Sequence, residues 1–324
     1  MQTTPSRTGR SRRLSHLDRP LVVTGLLMLA VLGPFLAGIW LDPRTITGVP
    51  AWLKPAKFAA SIAIYAFTLA WVFTYLEAFP RTRRAVGWVS AVVFVLEMVI
   101  IAMQAWRGTT SHFNVGTTLD ATLFSIMGGA IVVQTVTSIA VAVALWRQPF
   151  TDRALGWALR LGMAITIAGA FTGGLMTRPT EAQLAGARTS SRLAVIGAHT
   201  VGAPDGGPGL PGTGWSTRHG DLRVPHFIGL HALQLLPLVV LAVGRRREAV
   251  ARARLALTAA ASYAALFIIL VWQALRGQSV LQPDAATAAL LAAWAAATIL
   301  IGWMVTRVQS GHGRNGHLLP HVAR

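Results

Sequence analysis

The sequence predicts an all-α membrane protein, a polytopic bundle of about eight transmembrane helices. Three observations predict it. Of its 324 residues 53% are hydrophobic and only 12% charged, with a mean hydropathy of +0.54, against about a quarter charged in soluble domains. The apolar residues come in runs of about 20, the length that crosses a hydrocarbon core of about 30 Å. The runs are rich in Ala, Leu, Val and Gly and show no period-2 alternation, which favours helices over a barrel.

The first run, 21–40, follows a basic tail, 1–19, predicted to be disordered. Within that tail Ser11-Arg12-Arg13-Leu14-Ser15 looks faintly like a twin-arginine export signal. Seven further runs and the lack of a small-x-small cleavage site make 21–40 a retained span instead. The second run, 58–76, begins directly after Trp52-Leu53-Lys54-Pro55-Ala56-Lys57, and the third, 85–105, holds Glu97 near its middle. The fourth, 121–146, carries Gln134, and the fifth, 154–176, carries Arg160. Segment 177–223 is too long for a plain connection and too rich in Gly and Pro for a continuous helix, so a folded lid of turns is expected. The sixth run, 224–243, opens with His226 and His231; runs 255–275 and 285–305 complete the set before a polar tail, 307–324. Residues 20–306 thus form one transmembrane domain. No internal repeat supports a duplicated transporter.

Charge placement supplies an orientation. The chain has 29 Lys+Arg and 11 Asp+Glu, a net charge of +18. The basic residues cluster between apolar runs, which argues against nucleic-acid binding and for membrane topology. With the N-terminus inside, cytoplasmic segments hold 18 of these cations and the other side 10, with Arg160 inside the fifth run. Positive-inside retention therefore predicts a bacterial cytoplasmic (inner) membrane protein with both termini cytoplasmic. Cysteine is absent, so disulfides, thiolate metal sites and thiol nucleophiles are excluded.

On that topology the unusual polar residues share the extracytoplasmic end. They fall in three motifs, W-x-K-P-x-K-F at Trp52–Phe58, Q-A-x-R-G-x-x-S-H-F-N at Gln104–Asn114 and G-D-L-R-V-P-H-F-x-G-L-H-A-L-Q at Gly220–Gln234. With the loop Asp205-Gly206-Gly207-Pro208-Gly209-Leu210-Pro211, these motifs resemble a widespread group of uncharacterised bacterial multi-pass membrane proteins. The resemblance runs from the second span to the sixth; it implies a membrane fold and names no activity.

Function is then read from the residues. Lys54 and Lys57, three apart on one helix face, suit either interfacial snorkelling or an anion site. Arg107, Arg178 and Arg223 at similar depth would enlarge such a site, unless Asp205 or Asp221 neutralises them. Glu97 is an intramembrane acid, hence a candidate proton donor or ion site, with Gln104 two turns later on its face. His226 and His231 are five apart, about 140° around a continuous helix, so they do not readily clamp one ion; His231 and Gln234 share a face.

Three functions remain open. The first is a membrane enzyme acting by acid/base chemistry on an amphipathic lipid or isoprenoid-like substrate. Glu97, His112, Asp221 and His226 would be catalytic. Trp52, Lys54, Lys57, Gln104, Arg107, Asn114, Arg223, His231 and Gln234 would bind substrate. The second is a b-type haem or quinone-linked redox protein with His112 and His226 or His231 as ligands, His199 being a further candidate. The third is a proton-coupled transporter or sensor using Glu97. Membrane lipids are the expected partners, and no metal site other than haem is expected.

Overall fold

The computed structural model describes residues 18–189, 193–243 and 248–312, with side chains to 305. It is a helical bundle. The helices are α1 (Arg19–Leu41), α2 (Leu53–Phe73), α3 (Pro80–Trp106), α4 (Thr118–Arg147), α5 (Arg153–Met176), α6 (Glu181–Thr189), α7 (Arg223–Leu230), α8 (Ala232–Val243), α9 (Ala249–Leu275) and α10 (Ala285–His312). Two antiparallel two-residue strand pairs accompany them, β1 (Thr45–Ile46) with β2 (Val49–Pro50) and β3 (Thr200–Val201) with β4 (Gly220–Asp221). Among the described residues seven helices are long and apolar enough to cross a membrane, and α7 with α8 makes a further, bent candidate. Most of both predicted tails, 1–17 and 313–324, lies outside the described residues, as does the Ser11–Ser15 motif.

Helix starts carry local reasons. Asp18, Thr117 and Asp152 each turn a side-chain oxygen to a first-turn amide, Leu21, Asp120 and Leu155 respectively, satisfying donors that a helix leaves unpaired. Pro80 occupies the first turn of α3, where its missing N–H costs nothing. α5 sits centrally, packed by α4, α7, α8 and α9, while α10 packs mainly on α9. The largest core cluster joins Leu21, Phe73, Leu145, Leu159, Met163 and Leu236. Outward faces keep large apolar side chains exposed, such as Val23, Val132, Ile268 and Ile299, as a lipid-facing surface requires. Arg160 donates to the carbonyls of Leu145 and Gln148 at 2.9 and 2.8 Å, and its guanidinium lies within 6 Å of the Trp146, Phe150 and Trp157 rings.

The helix that holds the second apolar run starts at Leu53, which puts Lys54 and Lys57 in the first turns of α2, on one helix face as expected. One sequence expectation is corrected. The sixth run is not one helix: it bends by 46° between α7 and α8, with His231 at the break. The 140° separation of His226 and His231 stands, since His231 caps α7 with its N–H bonded to Phe227 O at 3.1 Å and the bend follows it. Packing explains the break. Gly169 of α5 and Gly229 of α7 meet backbone to backbone, and a Cβ on either would overlap the other. Thr166 Oγ1 accepts from Leu233 N at 3.2 Å and donates to Leu230 O at 3.3 Å, while Tyr263 donates to Ile228 O at 2.6 Å. Side chains thus satisfy backbone groups that the interrupted ladder frees.

The described parts of the lid segment, 177–189 and 193–222, fold over one end of the bundle, the lid end. α6 is anchored through Gln183, which holds both the N–H and the C=O of Gly197 at 2.9 Å. Asn114 bridges Val195, and β3–β4 ties the returning chain to α7.

Candidate functional site

The lid end gathers charged and imidazole side chains from α2, the α3–α4 connection, the lid and α7. Lys54 Nζ lies 3.1 Å from His112 Nδ1, which Ser111 Oγ also reaches at 3.1 Å. Phe58, Phe113 and Phe124 surround the His112 ring at centroid distances of 5.8, 6.2 and 6.5 Å. Phe113 holds a left-handed backbone, φ 64°, a strained conformation for an L-residue. Its ring sits 4.9 Å from that of His199. Burial, then the positive charge of Lys54, holds His112 well below the ordinary histidine range, so it is neutral at physiological pH.

His199 is oriented by an acid. Its Nδ1 is 2.6 Å from Asp205 Oδ2, and the same carboxylate accepts the His199 and Thr200 amides at 3.0 and 2.9 Å. Burial raises the Asp205 carboxyl, but His199 and these amides outweigh it and leave it ionised well below the usual range. Burial lowers His199 despite Asp205. His226 Nδ1 points to Gly169 O at 2.8 Å, beside Thr172 Oγ1 at 3.3 Å. His112, His199 and His226 lie within electrostatic reach of one another. Lys57 donates to Thr213 O at 2.8 Å. Neither lysine has a carboxylate in its ion-pairing shell, although Glu97 and Asp205 act on Lys54 from farther off.

The predicted residues divide accordingly. Lys54, Lys57, His112 and His226 converge, with Glu97 deeper on α3 and both its oxygens buried without a hydrogen-bond partner. Arg223 borders the cluster, but its guanidinium is held by Asp221 at 2.6 Å and by Gly214 O at 2.5 Å. Asp221 in turn also accepts the Ser216 amide at 2.8 Å and the Arg223 amide at 3.0 Å, so its carboxylate braces the lid. The His231 ring lies tilted by 57° against that of Phe227, 4.2 Å between centroids, at the helix break. The others are held by partners outside the cluster. Trp52 donates to Asp42 at 2.8 Å and stacks on Phe35. Arg107 is paired with Asp120 at 2.6 Å and with Gln104, whose amide also donates to Asp120 at 2.8 Å. Asn114 staples its own loop through Thr109 Oγ1 and the Gly116 amide. Gln234, its amide nitrogen turned toward the break, donates to Leu230 O and His231 O at 3.2 Å.

Sequence reasoning missed Asp120 as the partner of Arg107, although Thr117-x-x-Asp120 is a helix-start pattern. It treated His199 and Asp205 separately. Six residues apart across a Gly-rich turn, they carry no sequence signal of pairing. Among the described residues no three His, Asp or Glu side chains are arranged to hold a metal ion. A haem-ligating histidine ordinarily offers its outer nitrogen to an acceptor; the Nδ1 of His112 faces the Lys54 ammonium, a donor, whereas that of His226 meets a carbonyl. His112 therefore fits an axial role poorly.

No family model, curated protein or solved structure matches the chain.

Proposed function

We propose that the protein is an integral membrane enzyme that performs acid/base chemistry on an amphipathic, anionic lipid or isoprenoid-like substrate at the lid end. The observation that carries this reading is the pairing of two pre-oriented imidazoles with two lysines that lack carboxylate partners. His199 and His226 each have Nδ1 fixed, by Asp205 and by Gly169 O, which leaves Nε2 for proton transfer. Either imidazole takes a proton from the substrate at Nε2 and, as the imidazolium so formed, returns that same proton to another atom of the substrate. Lys54 and Lys57 hold the anionic group. An apolar cleft of about 290 Å³ between α8, α9 and α10 reaches Tyr263, which is bonded to Ile228 O beside Phe227; it suits the apolar chain of such a substrate. The reading is completed by eight spans, α7 and α8 forming the sixth, with both termini cytoplasmic and the lid outside, in a bacterial inner membrane. It also keeps the resemblance to the multi-pass group.

The test uses nanodisc-embedded protein and a prenyl monophosphate as probe. Saturable binding that is lost in Lys54→Gln/Lys57→Gln, with His199→Ala still binding, supports the reading. Binding indifferent to both lysines overturns it. An absorption spectrum of the same sample before and after dithionite addresses the haem alternative, and a Soret band that shifts on reduction would replace the enzyme reading. The broken sixth span favours transport as a second reading, because interrupted helices inside a bilayer recur at transport sites. A cytoplasmic signal from a reporter placed in the lid would overturn the orientation.

A further inference from the structure

Three buried polar side chains on α3 and α4 are poorly satisfied: Ser90 Oγ and both oxygens of Glu97 have no hydrogen-bond partner, and the Gln134 amide has only the nearby Tyr65 hydroxyl. Their residues are 0, 2 and 8% exposed. An unsatisfied carboxyl or amide at bilayer depth is costly, so three of them on two neighbouring helices call for a common explanation.

Their placement is regular. Ser90, Glu97 and Gln104 are seven apart, two turns each, and lie on one face of α3. The helices α3 and α4 run antiparallel, with Gln104 bonded to Asp120, Ile101 in one cluster with Met127 and Phe94 in one cluster with Ala130. The same register sets Ser90 level with Gln134. The Tyr65 hydroxyl of α2 joins this level, 3.3 Å from Ser138 Oγ and near the Gln134 amide.

The stripe continues to both ends. At the end away from the lid, a Cβ on Gly87 would overlap the Asp18 carboxylate. Glycine there lets Asp18 lie against α3 one turn before Ser90, facing Arg83. At the lid end Glu97 is within electrostatic reach of Lys54, and Lys54 is bonded to His112. From Ser90 to Glu97 the rise is about 10 Å at 1.5 Å per residue, a gap that about three hydrogen-bonded waters would span.

We propose that Ser90, Gln134, Tyr65 and Glu97 line a water-bridged proton route between α2, α3 and α4, entered from Asp18 and delivering protons through Glu97 to the Lys54–His112 cluster. The charged groups facing it are Asp18 from α1, Lys54 from α2 and Arg83 from α3; at its lid end the Asp120–Arg107 pair of α4 and α3 is already neutralised. Glu97 is the one carboxyl inside the stripe. The route does not depend on the anion-binding reading: Lys54→Gln/Lys57→Gln tests that reading, and the variants below test this one.

The experiment is proton flux into proteoliposomes holding a pH-sensitive dye, driven by a potassium diffusion potential with valinomycin. Wild type should conduct several-fold above protein-free vesicles. Glu97→Gln should fall to that baseline, Glu97→Asp should retain flux, and Ser90→Ala/Gln134→Leu should lower it several-fold. Infrared difference spectra of wild type against Glu97→Gln should show a carboxyl band that shifts in D2O. Wild-type flux equal to protein-free vesicles, flux unchanged in Glu97→Gln, or a Glu97 band that ignores D2O would each overturn the proposal.

Discussion

Thr166→Val removes the hydroxyl that bridges the break between α7 and α8 while keeping nearly the same side-chain shape. Two bonds are lost, the acceptor for Leu233 N and the donor to Leu230 O. They are not equivalent. Leu230 O keeps the Gln234 amide at 3.2 Å, so its loss is modest. Leu233 N has no such substitute; Leu233 is 0% and Thr166 2% exposed, and no water reaches the site from bulk. A buried donor left unpaired costs about 1–3 kcal/mol, and the valine methyl recovers little because the pocket is already filled. The expected destabilisation is therefore about 2 kcal/mol, close to thirtyfold in the unfolding equilibrium. Unfolding by SDS titration in mixed micelles measures it, with Thr68→Val as the control, since the Thr68 hydroxyl donates within its own helix turn, to Ile64 O at 2.7 Å. If Thr166→Val shifts the midpoint no more than Thr68→Val, the break is not held by Thr166 and the account of its origin fails.

Three other outcomes follow from the packing and the charges. Gly169→Ala places a methyl on the Gly229 backbone, where no rotamer relieves it; overpacking of about 1–3 kcal/mol is expected, together with weakened probe binding because Gly169 O orients His226. The same SDS titration and the prenyl monophosphate assay read both. Asp120→Asn removes a charge that receives Arg107, Gln104 and Thr117 and should cost about 2 kcal/mol, as hydrogen bonds to charged groups do; restoration of the midpoint by adding Arg107→Met would confirm that the stranded cation is the cause. His112 and His199 are both lowered below 6.5 in the fold, so the unfolded chain binds more protons once pH falls through about 6.5. Stability should hold above that pH and decline below it, by up to about 1.4 kcal/mol per pH unit for each histidine, and melting temperatures of His112→Gln/His199→Gln should show a flatter acid limb.

The helical class and the apolar runs were legible because bilayer length leaves a signal in composition alone, and the lid was legible from its Gly and Pro. What sequence reasoning could not reach depends on contacts between distant segments. The break in the sixth span has no local mark that distinguishes it from a tolerated proline: Pro237 lies six residues past His231, and the cause is the approach of Gly169 with the hydroxyls of Thr166 and Tyr263. The site was half legible. Lys54, Lys57, His112 and His226, which the structure brings together, were legible because polar residues beside apolar runs stand out. Gln104, Arg107 and Asn114 stood out for the same reason but are bonded within the α3–α4 connection and the start of α4, because polarity alone does not show whether a partner is waiting. Asp120 and Asp205 show the converse, unremarkable acids in sequence that fix a cation and an imidazole in space.

Carboxylate placement at the lid end separates scaffolding from chemistry. Arg44, Arg107, Arg223 and Arg276 are each paired, with Asp42, Asp120, Asp221 and Asp284, at 2.6–2.7 Å. Three of these partners lie within eight residues of their arginine in sequence, so each loop neutralises itself as it folds, and the planar guanidinium suits the two oxygens of a carboxylate. Lys54 and Lys57 are treated differently: one meets an imidazole nitrogen and the other a carbonyl, both neutral. Two ammonium groups near each other without an ion-paired acid repel and are poorly solvated where the helix enters the membrane. An anion bound between them relieves both costs at once. A loop carboxylate there would have stabilised the fold and closed the site; on the proposed reading its absence from the shell of these two lysines is what leaves their charge to the substrate. A lysine-to-acid change on this surface, such as Lys57→Glu, should then raise the melting temperature while abolishing probe binding, whereas lysines with a purely structural role would lose stability in the same variant.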